Sequence, residues 1–162
     1  MDSKIIELVK KWFNKTEDWQ KDSFVSIWKG SNIDTIKEIR DKVRNEKILS
    51  WESKFSAIET LSNDKYTIII PKIMEEFTDE GKQQNNCVGH YYHNRMAQNT
   101  QIIYFIRRKS IPNKSYITNR YSVSEKETVE TRMVNNTANR DADSLELITR
   151  IDKMITDILK TL

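Results

Sequence analysis

The sequence predicts an α+β fold: a helical N-terminal part, then a helix, a three-stranded antiparallel meander and a C-terminal covering helix. Three observations carry the prediction. Residues 33 to 61 place apolar side chains at spacings of three and four, the period of an amphipathic helix. Residues 101 to 134 change to β-branched and aromatic runs that suit strands. The chain then closes on Leu145, Ile148, Ile151, Ile155, Ile158, Leu159 and Leu162, a wide helical stripe able to cover a sheet.

Taken in order, "SKIIELVKKWF" (3 to 13) is an amphipathic helix with Ser3 placed to cap it and lysines opposite its apolar face. A second helix is expected from about residue 34 to 45 through Ile36, Ile39 and Val43, and a third from about 50 to 61 through Trp51, Phe55 and Ile58. All four tryptophans, at 12, 19, 28 and 51, fall in this first third, so aromatic burial supplies much of its packing. The run Thr67 to Ile70 reads as a short strand or extended segment that Pro71 ends. Residues 72 to 80 read as a helix closing near Gly81, and residues 90 to 98 as another short helix. "QIIYFIRR" (101 to 108) is apolar on both faces, as in a central strand. Residues 114 to 123 and 128 to 134 form the next strands, joined by the turn "SEKE", and the second face of this meander is polar. Asp143 and Glu146 have the spacing of a capping box for the last helix.

A chain of 162 residues has room for one core, read here as a helical layer over 1–62 and an α+β unit over 63–162 in one compact body. Its charge of +3 is the small difference between 27 basic and 24 acidic residues, so the total does not argue for a polyanionic partner. The distribution does: Arg95, Arg107, Arg108, Lys109, Lys114 and Arg120 fall in a stretch with no Asp or Glu. Such a stretch presents a positive surface unless acidic residues from elsewhere fold back on it. A single cysteine forms no internal disulfide, and the start of the chain lacks a signal sequence, so a cytoplasmic location is expected. No apolar run approaches the roughly 20 residues that a membrane helix needs.

The segment "NNCVGHYYHNR" (85 to 95) holds Cys87, His90 and His93, the chain's one cysteine and both its histidines. As a zinc site it is one ligand short. As a nucleophile with its base, Cys87 would need His90 or His93 to take its proton, although a cysteine beside Val88 and Gly89 also suits a small buried position. As a phosphate-handling surface it offers Tyr91, Tyr92 and Arg95 alongside Arg107 and Arg120, with Gly89 allowing close backbone approach. The preferred reading makes Cys87 structural, at a tight corner with Gly81 and Gly89 as its turn residues. No metal and no cofactor are expected.

The order "EGKQQNNCVGHYYHNR", "QIIYFIRR", Pro112, "SYIT" and "VNNTANR" resembles the PcfJ-like domain of conjugative plasmids, phages and related mobile elements. The resemblance runs over about residues 68 to 160 and rests on Glu80, Gly81, Cys87, Val88, Gly89, Tyr91, Arg95, Arg107, Pro112, Thr118 and Asn139. This chain departs from the pattern at Asn86, in place of a histidine or similar polar residue, and at Asn119 and Arg120, where an acidic residue follows the strand threonine. Thr131 and Val134 stand near the places of an expected Gln and Gly. The resemblance implies a mobile-element setting more firmly than a reaction.

The expected function is an accessory protein of a mobile element that contacts RNA or DNA, or a complex that processes them. The contact surface would comprise Tyr91, Tyr92, Arg95, Arg107, Arg108, Tyr116, Thr118, Arg120, Arg132 and Asn139. Two alternatives stand beside it: a non-catalytic inhibitor of a host defence system, such as an anti-CRISPR protein, and a metal-independent nuclease using His90 or His93 for proton transfer. Clustered carboxylates of the two-metal nuclease kind are absent from the sequence.

Overall fold

The computed structural model describes residue 7 and residues 33–85, 92–134, 137–139 and 141–162. Apart from Glu7, which is helical, the expected helix over residues 3–13 lies outside this set, as do Trp12, Trp19 and Trp28.

The two helices expected between residues 34 and 61 are one α-helix, α1 (Ile33–Ser53), followed by a 3-10 turn over Ser56–Leu61. The intervening "EKIL" contains no glycine or proline, and Ile48 is fully buried, so the apolar stripe Ile39, Val43, Ile48 and Trp51 runs on without a break. Strand β1 (Tyr66–Ile69) begins where the Asn63 side chain accepts the N–H groups of Lys65 and Tyr66 at 2.9 and 3.0 Å.

Helix α2 (Met74–Gln84) has no capping side chain of its own; the N–H of Met74 donates instead to Asn45 Oδ1 of α1 at 2.9 Å. It continues past Gly81, which is buried inside the helix rather than at a turn, and ends at Asn85 in the left-handed region with φ of 51°. Asparagine tolerates that conformation, so the role expected of Gly81 falls to Asn85. Gly89 lies outside the described residues. A short helix α3 (His93–Ala97) leads into β2 (Gln101–Arg108), β3 (Ile117–Ser122) and β4 (Glu127–Arg132).

The sheet has four strands among the described residues, in the order β1-β2-β3-β4 with every pair antiparallel. The difference from the expected three is β1: the short run before Pro71 pairs with β2 from Tyr66↔Arg108 to Ile69↔Phe105 and forms an edge, where a following proline costs no ladder bond. Helix α4 (Ala142–Leu159) is capped by Asp141, whose side chain accepts the N–H of Asp143, so the cap sits two residues before the expected Asp143. Leu145, expected on its apolar stripe, is exposed, and the buried stripe is Leu147, Ile148, Ile151 and Ile155.

Both faces of the sheet are covered. On one side Tyr104 and Tyr121 reach Asp152 and Thr156 of α4, at 3.0 and 2.6 Å. On the other, Phe105 meets Phe77 of α2 edge-on at 5.9 Å, and the Trp51 indole of α1 donates to the Gln101 carbonyl at 2.9 Å. Residues of α1 and the strands therefore belong to one core. The polar second face, expected to stand open, is roofed by α2 and the segment at Tyr92.

Candidate functional site

Strand alternation puts Arg107, Thr118, Arg120 and Arg132 on the face that α2 covers, because Thr118 pairs with Phe105 and Arg132, and Arg120 with Ile103 and Glu130. Along this face Arg107, Thr118, Arg120 and Arg132 each have a defined partner. Arg107 Nη2 donates to Glu80 Oε2 at 2.6 Å, with Glu80 only 1% exposed and the Arg107 side chain 19%. One turn on, Gln84 Oε1 accepts the Thr118 hydroxyl at 3.2 Å, and Gln83 Oε1 accepts the N–H of Ser115 at 2.7 Å. Glu80, Gly81, Arg107, Pro112 and Thr118, far apart in sequence, are thus brought to one end of α2; the Pro112 carbonyl accepts from Arg107 Nη1 at 3.4 Å.

Farther along the face, the guanidinium of Arg120 lies 4.5 Å from the centre of the Tyr92 ring, and its Nε donates to Gln101 Oε1 at 3.0 Å. Arg120 and Arg132 both approach Glu130 Oε2, at 3.5 and 3.6 Å, while the Tyr92 hydroxyl donates to Glu130 Oε1. Burial, with the hydrogen bond to Glu130 adding to it, pushes Tyr92 up to about 12, so its hydroxyl stays a donor at neutral pH. Two arginines therefore share one carboxylate, and the Arg132 side chain remains 38% exposed. Arg95 on α3 is exposed.

Tyr116 and Arg108 occupy the opposite face. Arg108 lies 4.3 Å over the Tyr116 ring, and the hydroxyls of Tyr116 and Tyr66 both donate to Asp141 Oδ2. Asn139 joins the same junction: its carbonyl oxygen accepts the N–H of Asp141 at 3.0 Å and its amide donates to Ser144 at 2.8 Å, which fixes the start of α4. Burial opposes the charge on Asp141, but the two tyrosine hydroxyls and the N–H groups of α4 outweigh it and hold the carboxyl below its ordinary range. A lowered carboxyl contributes stability that is complete above the ordinary range, near pH 4, and is lost as pH falls through the lowered value. Asp141→Asn keeps the cap and an acceptor for the tyrosines, so thermal melts from about pH 2 to 7 should show a shallower acid limb below about pH 4 than the parent. An unchanged limb would remove Asp141 as its source.

His93 is buried and packs edge-on against Phe77 at 6.0 Å, inside the core. Cys87, His90 and Tyr91 lie outside the described residues. Among the described residues no three His, Cys, Asp or Glu side chains converge as for a metal ion.

The reading by sequence missed a buried ring of polar groups. The Asn119 amide donates to the hydroxyls of Tyr104 and Thr128 at 2.7 and 2.8 Å, and both hydroxyls donate to the carboxylate of Asp152. Thr131 donates to Asn119 Oδ1. Thr128 and Thr131 are three apart and would alternate to opposite faces, but the register shift between Arg120 and Tyr121 bulges β4 and turns both toward Asn119. No local signal announces such a bulge. Glu130 was legible, since it stands two residues before Arg132 on the same strand face.

The match to known families decides the relationship. The model of the PcfJ-like protein family matches residues 26–146. The chain belongs to the PcfJ-like family. The matched span starts upstream of residue 68, where the resemblance in sequence began, and takes in α1, so the family region crosses residue 62. Searches of the curated proteins and of the solved structures each returned no match. Within this PcfJ-like protein, Asn119 has a structural reason: a carboxylate there has no N–H to donate to the hydroxyls that serve Asp152.

Proposed function

We propose that this PcfJ-like protein is a mobile-element accessory protein that works in the cytoplasm and contacts nucleic acid at the β4 edge of the roofed sheet face, where Arg132 is exposed beside Arg120. The supporting observation is the two-to-one ratio of guanidinium to carboxylate at Glu130. The long contact of 3.6 Å and the 38% exposure of the Arg132 side chain leave its N–H groups able to turn toward a phosphate, while Arg120 adds its charge from beneath Tyr92. Arg95, exposed on α3, adds a third positive charge, and Arg107 extends the same face while held by Glu80. The contact is to backbone phosphate, since guanidinium forks match phosphate oxygens and carry no base preference by themselves.

Mobility shift of labelled RNA and DNA across a salt series tests this. Binding should weaken steeply with salt, and Arg132→Ala should lower the slope of log K against log salt by about 0.9 on duplex or ~0.7 on single strands. Binding that ignores salt would sink the reading. The same samples on a denaturing gel check for cleavage; strand scission lost in His93→Ala would make the protein a nuclease instead. Stable capture of a host defence complex in place of nucleic acid would favour the inhibitor.

A further inference from the structure

We propose that the loop between β2 and β3, with Lys82 of the adjoining α2, forms a second phosphate-binding surface, made by Lys82, Lys109 and Lys114. This rests on the nucleic-acid reading above and extends it to residues outside the Arg120 and Arg132 cluster.

Charge is the first observation. Lys82, Lys109 and Lys114 are exposed, and none of them makes an ion pair with a carboxylate among the described residues. They contrast with Lys65, Arg107, Arg120 and Arg132, which all meet Asp or Glu.

Preorganisation is the second. The N–H of Lys109 donates to the Lys65 carbonyl at 2.8 Å, Ile111 to Arg108 at 3.0 Å and Lys114 to Ile111 at 3.2 Å. Arg107 holds the Pro112 carbonyl, and the N–H of Ser115 is held by Gln83 at 2.7 Å. That last bond joins the residues directly after Lys114 and Lys82, so it ties the loop to the end of α2 that carries Lys82. A loop tied at both ends loses little entropy when its cations are neutralised, unlike lysines on a free tail.

Spacing is the third. Arg132 is level with Thr118 and Phe105, and Lys109 follows four residues after Phe105. At ~3.3 Å per residue this is roughly 13 Å along the strands, and β4 lies two strands or about 10 Å to the side of β2, a separation of roughly 16 Å that about five nucleotides of one duplex strand span. One continuous nucleic acid can therefore touch both clusters.

The test is the salt dependence of binding for the full chain and for Lys109→Ala/Lys114→Ala, with Arg132→Ala alongside. Both lysines are exposed in a loop, and circular dichroism should confirm an unchanged fold. The double variant is expected to bind more weakly and, on duplex, to lose about 1.8 from the salt slope, ~0.9 for each phosphate contact removed. If Arg132→Ala lowers the slope and the double variant does not, the second surface is overturned and the first stands. If the parent chain binds neither RNA nor DNA, both fall. Anionic vesicles held by the parent and released by the double variant, without nucleic-acid binding, would assign the loop to a membrane surface and overturn the proposal.

Discussion

Arg107→Ala is expected to lower the unfolding free energy by about 3 kcal/mol, because removing one member of a buried ion pair leaves the other charge uncompensated. Glu80 is 1% exposed and has little access to water, and its second oxygen has no hydrogen-bond partner among the described residues. The Arg107 side chain keeps 19% exposure, so water entering after its removal should hold the loss at the lower end of the usual range of roughly 3–5 kcal/mol. Urea unfolding reads this directly. Pairing Arg107→Met with Glu80→Gln removes both charges and should recover most of the loss, which separates a stranded carboxylate from simple loss of packing. A loss below about 1 kcal/mol in the single variant would mean that the pair is solvated and that it does not anchor α2 to β2.

Asn119→Asp is expected to destabilise the protein on the order of 3 kcal/mol or more at neutral pH. The change alters only an amide to a carboxylate, so shape is kept and hydrogen-bond polarity is not. In the native ring the amide gives both N–H groups to the hydroxyls of Tyr104 and Thr128, which leaves those hydroxyls free to donate to Asp152. A second acceptor at position 119 competes for the same two protons and sets a negative charge opposite another in a buried site. Burial already raises Asp152 above its ordinary range, with the hydroxyls of Thr128 and Tyr104 only partly opposing it. The penalty in Asn119→Asp should therefore shrink as pH falls through the carboxylate range and one of the two acids takes a proton. Adding Asp152→Asn should restore a donor to the ring and return much of the stability. A single variant as stable as the parent at pH 7 would show that the ring is not closed in solution.

The period of the apolar residues made several elements legible. Ile148, Ile151 and Ile155 identify α4, although its buried stripe takes Leu147 in place of the expected Leu145, and the two-faced apolar run from Ile102 to Ile106 identifies a strand buried on both sides. The family pattern was also readable, since Glu80, Gly81, Arg107, Pro112 and Thr118 stand in order along the chain. Boundaries were less so. The gap between α1 and a supposed third helix closed because Ile48 continues the stripe, and the end of α2 moved from Gly81 to Asn85 because asparagine supports the left-handed residue that stops a helix.

The acid-free stretch from Arg95 to Arg120 shows the division most clearly. Its residue order by itself determined that the cations from Arg107 to Arg120 lie on and between adjacent strands, since alternation and strand length are local properties of the chain. Only the tertiary structure decided which of them are neutralised: Glu80 comes from α2, Glu130 from β4, and the loop lysines receive no such partner among the described residues. Charge pairing acts over a few ångströms in space, whatever the separation in sequence, so the pattern of free and neutralised cations follows from how helices and strands are packed.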